Sequence, residues 1–370
     1  MNKLDVLNLI SPQMKAVLEV EDSLAGDAND TSVGFEQMRA NYIEGRKFWV
    51  KGGPEMVAKF DSEIDGPNGV IPVRFYYPTE ESFKGRTDGT TKTPTIVYVH
   101  GGGWVLGNLE THDRICRVLA EKSEAIVVAV DYRLSPEAKF PSAVHEVAAV
   151  AKHLHENADQ YGIDADRMGM AGDSGGAHLN LAATLYLRQE VGDASYIKAL
   201  LLYYGCYGLT DSASRRLLGG AWDGLTEEDW KFYLSNYAED PVAILNEPYC
   251  NLFLNDLSRD MPACYIAAAE YDPLKDDSAT LAAICDQYGT SCKYEVFEGT
   301  IHAFLHYTRV LDDANDALEH GASFFREICG MGLRGINSRI IPALRATGIR
   351  NSFCKLGRGT MMACKGKTKI

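Results

Sequence analysis

The chain has 370 residues, 46% hydrophobic and 24% charged, with a net charge of −14: room for one large α/β domain with insertions or for two ordinary domains, in a globular composition whose overall charge disfavours nucleic acid. Its nine cysteines are scattered with no Cys-x-x-Cys pair, which fits free thiols in a reducing compartment. No apolar run approaches membrane-spanning length, and Asp5 and Asn8 interrupt the one at the N-terminus, so no signal peptide is read and the expected location is cytoplasmic.

Residues 1–50 read as two amphipathic helices, 4–20 and 34–50, around a polar loop at 26–31. They do not suit a parallel-sheet core and are expected to dock as part of a cap. Residues 56–77 alternate apolar and polar about Gly66-Pro67-Asn68-Gly69, a hairpin signal. The Thr-, Lys- and Gly-rich stretch that follows, up to Lys92, reads as a loop. Residues 94–99 (PTIVYV) form a continuous β-rich run of the kind covered on both faces, and it ends in His100-Gly101-Gly102-Gly103-Trp104. Next come a helix at 112–123, a strand at 125–130, and a long helix at 141–161 with Val144, Val147, Ala148, Ala151 and Leu154 on one face. A short strand at 167–171, a helix at 177–188 and a strand at 198–204 continue the alternation, which predicts a mostly parallel sheet with helices on both faces. Residues 208–258 break it: they are rich in aromatics without a clear strand and read as a helical insertion. The sheet resumes at 263–268 and 293–297, with a helix to 288 between them and a closing helix at 312–328. Residues 331–370 hold nine Lys and Arg and no Asp or Glu, leaving 28 basic against 51 acidic residues, a body at −23. From 329 on, the chain reads as a basic tail, disordered or extraneous to the fold.

The chemistry gathers around Gly172-Asp173-Ser174-Gly175-Gly176. A Gly-x-Ser-x-Gly between a strand and a helix is a nucleophile elbow: the turn is too tight for side chains two residues either side of the serine, and the hydroxyl stands exposed at the strand tip. Serine needs a base, and the base needs an orienting group. In parallel-sheet architectures such groups lie past the carboxyl ends of strands. His302 follows the strand ending at Phe297, and Asp272 follows the one ending at Ala268. Asp276 and Asp277 compete for the acid role, but their place at a helix start suits capping. Of the other histidines, His112, His145, His153, His155, His178 and His320 fall on helices or at their starts, and His306 lies one turn beyond His302. Gly101, Gly102 and Gly103, together with the residue after the serine, Gly175, can offer bare backbone N–H groups to an oxyanion. No His-Glu-x-x-His or cysteine cluster points to a metal, and no Gly-x-Gly-x-x-Gly after a strand points to a dinucleotide, so no cofactor is expected.

Taken together, HGGGW, DYRLSPEAKFP, GDSGG, EYDPLKDD and GTIHAF resemble the hormone-sensitive-lipase-like serine esterases (family IV) of the α/β-hydrolase fold, most nearly the bacterial acetyl esterases, over about residues 1–328. The resemblance implies Ser174 as nucleophile, Asp272 as orienting acid and His302 as base. It also implies an oxyanion hole from glycines 101–103 and Gly175, a cap from 1–50 and 208–258, and a small substrate with a short acyl chain, acetyl to butyryl. One departure is Gly175, where the family usually has alanine. The same triad would serve an amidase or formamidase. A binding role on a hydrolase scaffold, as in the plant gibberellin receptor, is disfavoured because His302 is present. A homodimer and a regulatory protein partner are left open.

Overall fold

The structure, a computed structural model, describes residues 3–24 and 32–331; the loop at 26–31 and the basic tail from 332 lie outside them. The first helix begins later than its apolar pattern suggests. Ser11 Oγ accepts the Met14 N–H and Pro12 takes the first helical position, where a missing N–H costs nothing, so α1 runs Pro12–Ser23 after a single turn at Val6–Asn8. The second, α2, is Phe35–Arg46. Strands β1 (Ala58–Gly66) and β2 (Gly69–Tyr77) form the hairpin. The expected loop after it is instead a helix, α3 (Glu80–Asp88). Thr79 and Ser82 cap its start reciprocally and Gly89 ends it in the left-handed region, signals that its polar composition masked.

The alternation then proceeds through β3 (Thr93–Val99), α4 (Asp113–Ser123), β4 (Ile126–Val130) and α5 (Ser142–Glu156). The long helix expected to 161 breaks at Asn157 into α5 and the single turn α6 (Ala158–Tyr161). Strand β5 (Ile163–Asp173) leads into α7 (Gly175–Tyr186), followed by β6 (Ile197–Tyr203). The insertion carries the short α8 (Ala213–Leu217) and α9 (Glu227–Tyr237). Strand β7 (Ala263–Tyr271), α10 (Lys275–Tyr288), β8 (Cys292–Ile301) and α11 (Asp312–Ile328) complete the body.

Among the described residues, eight strands make one sheet in the order β1-β2-β4-β3-β5-β6-β7-β8. The β1–β2 and β2–β4 pairs are antiparallel, and all other pairs are parallel. Every residue of β3 is buried. Its Val97 and Val99 join a core with α5, α7 and α10 residues such as Val144, Leu181 and Leu281. Its Ile96 and Tyr98 join the opposite core, with Leu119 of α4 and Leu318 and Phe325 of α11. Period-two side chains covered by helices on both sides are the physical form of the continuous apolar runs seen in the sequence. Among the described residues no helix is long and apolar enough to cross a membrane.

Candidate active site

Ser174 sits between β5 and α7 with φ 52° and ψ −121°, a backbone conformation that L-residues rarely adopt. Its neighbours show why the turn demands glycine. A Cβ on Gly176 would stand 2.0 Å from the Val99 carbonyl oxygen, and one on Gly172 would stand 2.4 Å from the same atom. The Ser174 N–H donates to the Tyr203 carbonyl, and its own carbonyl accepts the His178 N–H in the first turn of α7. The hydroxyl therefore projects from a fully bonded backbone at a helix N-terminus, where negative charge is favoured.

His302 and Asp272 follow β8 and β7, neighbours at the end of the sheet, and converge on Ser174. His302 Nε2 is 3.0 Å from Ser174 Oγ, and Nδ1 is 2.7 Å from Asp272 Oδ2. A carboxylate only accepts, so Nδ1 donates to Asp272 and Nε2 is left to accept from the serine hydroxyl. Asp272 is fully buried and its Oδ1 accepts the Leu274 N–H, which fixes the carboxylate's orientation. Burial would by itself depress the His302 pKa. The Asp272 charge and hydrogen bond outweigh it, with Asp223 and Asp173 adding to them, so the imidazolium is held above the usual histidine value.

Asp276 and Asp277 lie elsewhere. Asp276 accepts the Ser214 N–H. Asp277 accepts the N–H groups of Tyr207, Gly208 and Leu209 and pairs with Arg215. Both carboxylates fasten the insertion to α10 rather than facing His302. His178 is buried, contacts the Cys250 carbonyl and is pushed down to about 4 by burial. His306 is also pushed down, by burial and then by the Arg46 charge.

Gly102, Gly103, Gly175, Ser174 and His302 line one cavity of about 60 Å³. Gly102 (φ 116°) and Gly103 (φ 57°) take left-handed conformations, and a Cβ on Gly103 would strike Tyr233 of α9 at 2.4 Å. The Gly101 N–H is already donated to Asp173 Oδ1 at 3.1 Å, and Gly101 does not line the cavity. This narrows the expected set of donors to Gly102, Gly103 and Gly175.

Asp173 is a residue that the motif contains but whose work the sequence does not reveal. It takes the Gly101 N–H and the Tyr98 hydroxyl and lies 3.4 Å from His112 Nε2. It thereby ties the glycine loop to the elbow. Burial opposes its ionisation, but His112, His306 and Tyr98 hold its carboxyl well below the usual range. His112, Asp173 and His306 also form, among the described residues, the group whose atoms could converge on a metal, within 4.8 Å of one another. Two of the ring nitrogens have protein partners, His112 Nδ1 with Thr111 at 2.8 Å and His306 Nε2 with Tyr42 at 3.5 Å, while His112 Nε2 faces Asp173 without a hydrogen bond. The Arg46 charge acting on His306 further disfavours a cation there. Trp104, Tyr42, Arg46 and Asp223 also line the cavity, and no motif in the sequence singled out the last three.

A Cβ on Gly175 would meet only Trp104 Nε1 at 3.4 Å and backbone N atoms farther off. Gly175→Ala is therefore expected to keep its N–H in place and to raise stability by about 0.5–1 kcal/mol through lost unfolded-state entropy. A rise in Tm with turnover little changed is the expected result. A large loss of turnover would mean that the site requires glycine here.

Residues 96–306 match a protein family described as having the alpha/beta hydrolase fold. Among solved structures, the chain is similar to an esterase from Pyrobaculum calidifontis, with 30% identity, a TM-score of 0.77, and coverage of 86% of this chain and 99% of that one. It is similar to an ester hydrolase from the metagenome of Lake Arreo, solved with a bipyridine phosphonate derivative, with 27% identity, a TM-score of 0.79, and coverage of 87% and 100%. A thermostable carboxylesterase cloned from a metagenomic library matches with 28% identity, a TM-score of 0.73, and coverage of 80% and 98%.

Proposed function

The chain belongs to the α/β hydrolase fold family, and from that membership we propose that it is a serine carboxylesterase, acetyl esterase-like, which cleaves short-chain acyl esters through an acyl-enzyme. The observation that carries the proposal is the unbroken line from Ser174 Oγ through the His302 ring to the buried Asp272 carboxylate, at 3.0 and 2.7 Å. In this mechanism His302 Nε2 takes the serine proton as Oγ attacks the ester carbonyl carbon. The oxyanion settles toward the N–H groups of Gly102, Gly103 and Gly175, and the N-terminal end of α7 adds its dipole. Collapse expels the alcohol, which takes the proton from His302. Water, activated by the same histidine, then attacks the acyl-serine and restores the enzyme.

A short acyl group is supported by the cavity's size and walls. The cap elements close it: Tyr42 and Arg46 come from α2, and Leu225, Trp230 and Tyr233 come from the insertion. The two caps also touch, Phe35 of α2 stacking on Phe232 of α9 at 6.1 Å between ring centroids. Each buried CH₂ adds about 0.8 kcal/mol of binding until the wall is met. Turnover of p-nitrophenyl esters is therefore expected to peak at about two to four acyl carbons. A second cavity of about 70 Å³ shares Trp104, Cys206 and Trp230 with the first as walls. Trp230→Ala is expected to join the two and move the optimum to longer chains. A wild-type peak at C10 or beyond would sink the short-chain reading, and no turnover of any ester would sink the esterase reading.

A further inference from the structure

The segment between α8 and α9 places a carboxylate beside the candidate triad that the mechanism does not use. Asp223 Oδ1 accepts the Gly220 and Leu225 N–H groups, at 3.1 and 3.0 Å, and so shapes the turn. Its Oδ2 is buried and has no hydrogen-bond partner. No ion pair among the described residues involves Asp223, although it lines the same cavity as Ser174 and His302. A buried carboxylate oxygen left unsatisfied is costly, and one that faces a substrate cavity has an obvious use. The same cavity wall carries donors without a hydrogen-bond partner as well: Trp104 Nε1 and Arg46 Nε, and Arg46 Nη1, whose ion-pair partner Glu21 lies 3.7 Å away. Burial, with the Asp272 charge adding to it, pushes the Asp223 carboxyl up to about 6, against the two N–H bonds and the His302 charge.

We infer that Asp223 is a specificity-determining residue that accepts a hydrogen bond from a hydroxyl on the alcohol portion of the ester, so that the preferred substrates are acyl esters of polyols. The inference rests on the short-acyl reading above: an acetyl group carries no hydroxyl, so the donor must belong to the leaving alcohol. An ammonium would satisfy Asp223 but would share the cavity with the Arg46 guanidinium, and a carboxylate would do the reverse. A neutral hydroxylated group, both donor and acceptor, suits both walls.

The test compares ethylene glycol monoacetate with propyl acetate, in which a methyl replaces the hydroxyl at nearly equal volume. The full chain is used, and each kcat/KM is divided by the corresponding hydroxide-catalysed rate. A site built to bond a hydroxyl discriminates strongly against the analogue lacking it, and a bond to a charged acceptor corresponds to roughly ten- to hundredfold. Wild type is expected to favour the glycol ester by that order. Asp223→Leu should abolish the preference. Asp223→Asn, which retains the Oδ1 acceptor for the turn, should weaken it mainly through KM. A wild-type ratio near one overturns the inference, and so does a ratio unchanged in both variants while their turnover falls, the signature of a merely structural role. Hydrolysis of p-nitrophenyl acetate separates the two readings: its absence defeats the esterase proposal, whereas its presence with no glycol preference defeats only this one.

Discussion

Ser174→Ala is expected to lower kcat on p-nitrophenyl acetate by on the order of 10⁶, the loss seen when the nucleophile of a hydrolase triad is removed. The fold should survive unchanged. The Ser174 backbone bonds to Tyr203 and His178 do not involve the side chain, and among the described residues the hydroxyl bonds to His302. Alanine meets the same positive φ as serine, so the variant adds no new strain. Purified variant and wild type should melt together while turnover disappears. More than a tenth of wild-type turnover in the variant would remove Ser174 from the nucleophile role.

Asp272→Asn is expected to cost about 10⁴ in kcat, because an amide can present its N–H to His302 Nδ1 and stabilise the wrong tautomer. It should also move the pH profile. In wild type the Asp272 charge and hydrogen bond raise the His302 pKa. The neutral imidazole needed as base is lost as pH falls through that raised value, and the acid limb of kcat/KM should lie above the ordinary histidine value of about 6.5. Without the carboxylate charge the His302 pKa falls, so the residual activity of Asp272→Asn should persist to lower pH than wild type. Asp276→Asn and Asp277→Asn should leave the acid limb where it is, since their carboxylates bond the insertion. Asp277→Asn should instead lower Tm, because a buried carboxylate paired with Arg215 and accepting three N–H groups is lost. An unshifted limb in Asp272→Asn alongside a dead Asp276→Asn would transfer the acid role.

The order and type of the main elements were legible because each carries a local signal. The strand PTIVYV carries no charge and is mostly apolar because helices cover both faces of β3. The elbow is written as glycines because the Val99 carbonyl passes within 2.0–2.4 Å of where a Cβ would stand. Chain order alone puts Asp272 and His302 past the ends of neighbouring strands, which is enough to nominate them. Where local signals are weak or in conflict, the sequence misleads. The stretch that forms helix α3 looks like a loop because its stability comes from a capping box and a terminal glycine rather than from an apolar stripe. The break at Asn157 and the late start at Ser11 are cap effects that hydrophobic periodicity does not register.

The roles of Asp173, Asp277, Arg46 and Asp223 could not be read from the chain in one dimension. A carboxylate's function depends on which N–H groups and charges the fold brings to its two oxygens, and those partners come from segments distant in the chain: Gly101 for Asp173, Tyr207 to Leu209 for Asp277. The same holds for the glycine loop, where three equivalent letters become unequal once Asp173 takes the Gly101 N–H. Backbone conformation and the faces of strands and helices are short-range properties that a sequence encodes locally. Desolvation and charge pairing are long-range, and they exist only after the sheet and its covering helices have closed around the groups concerned.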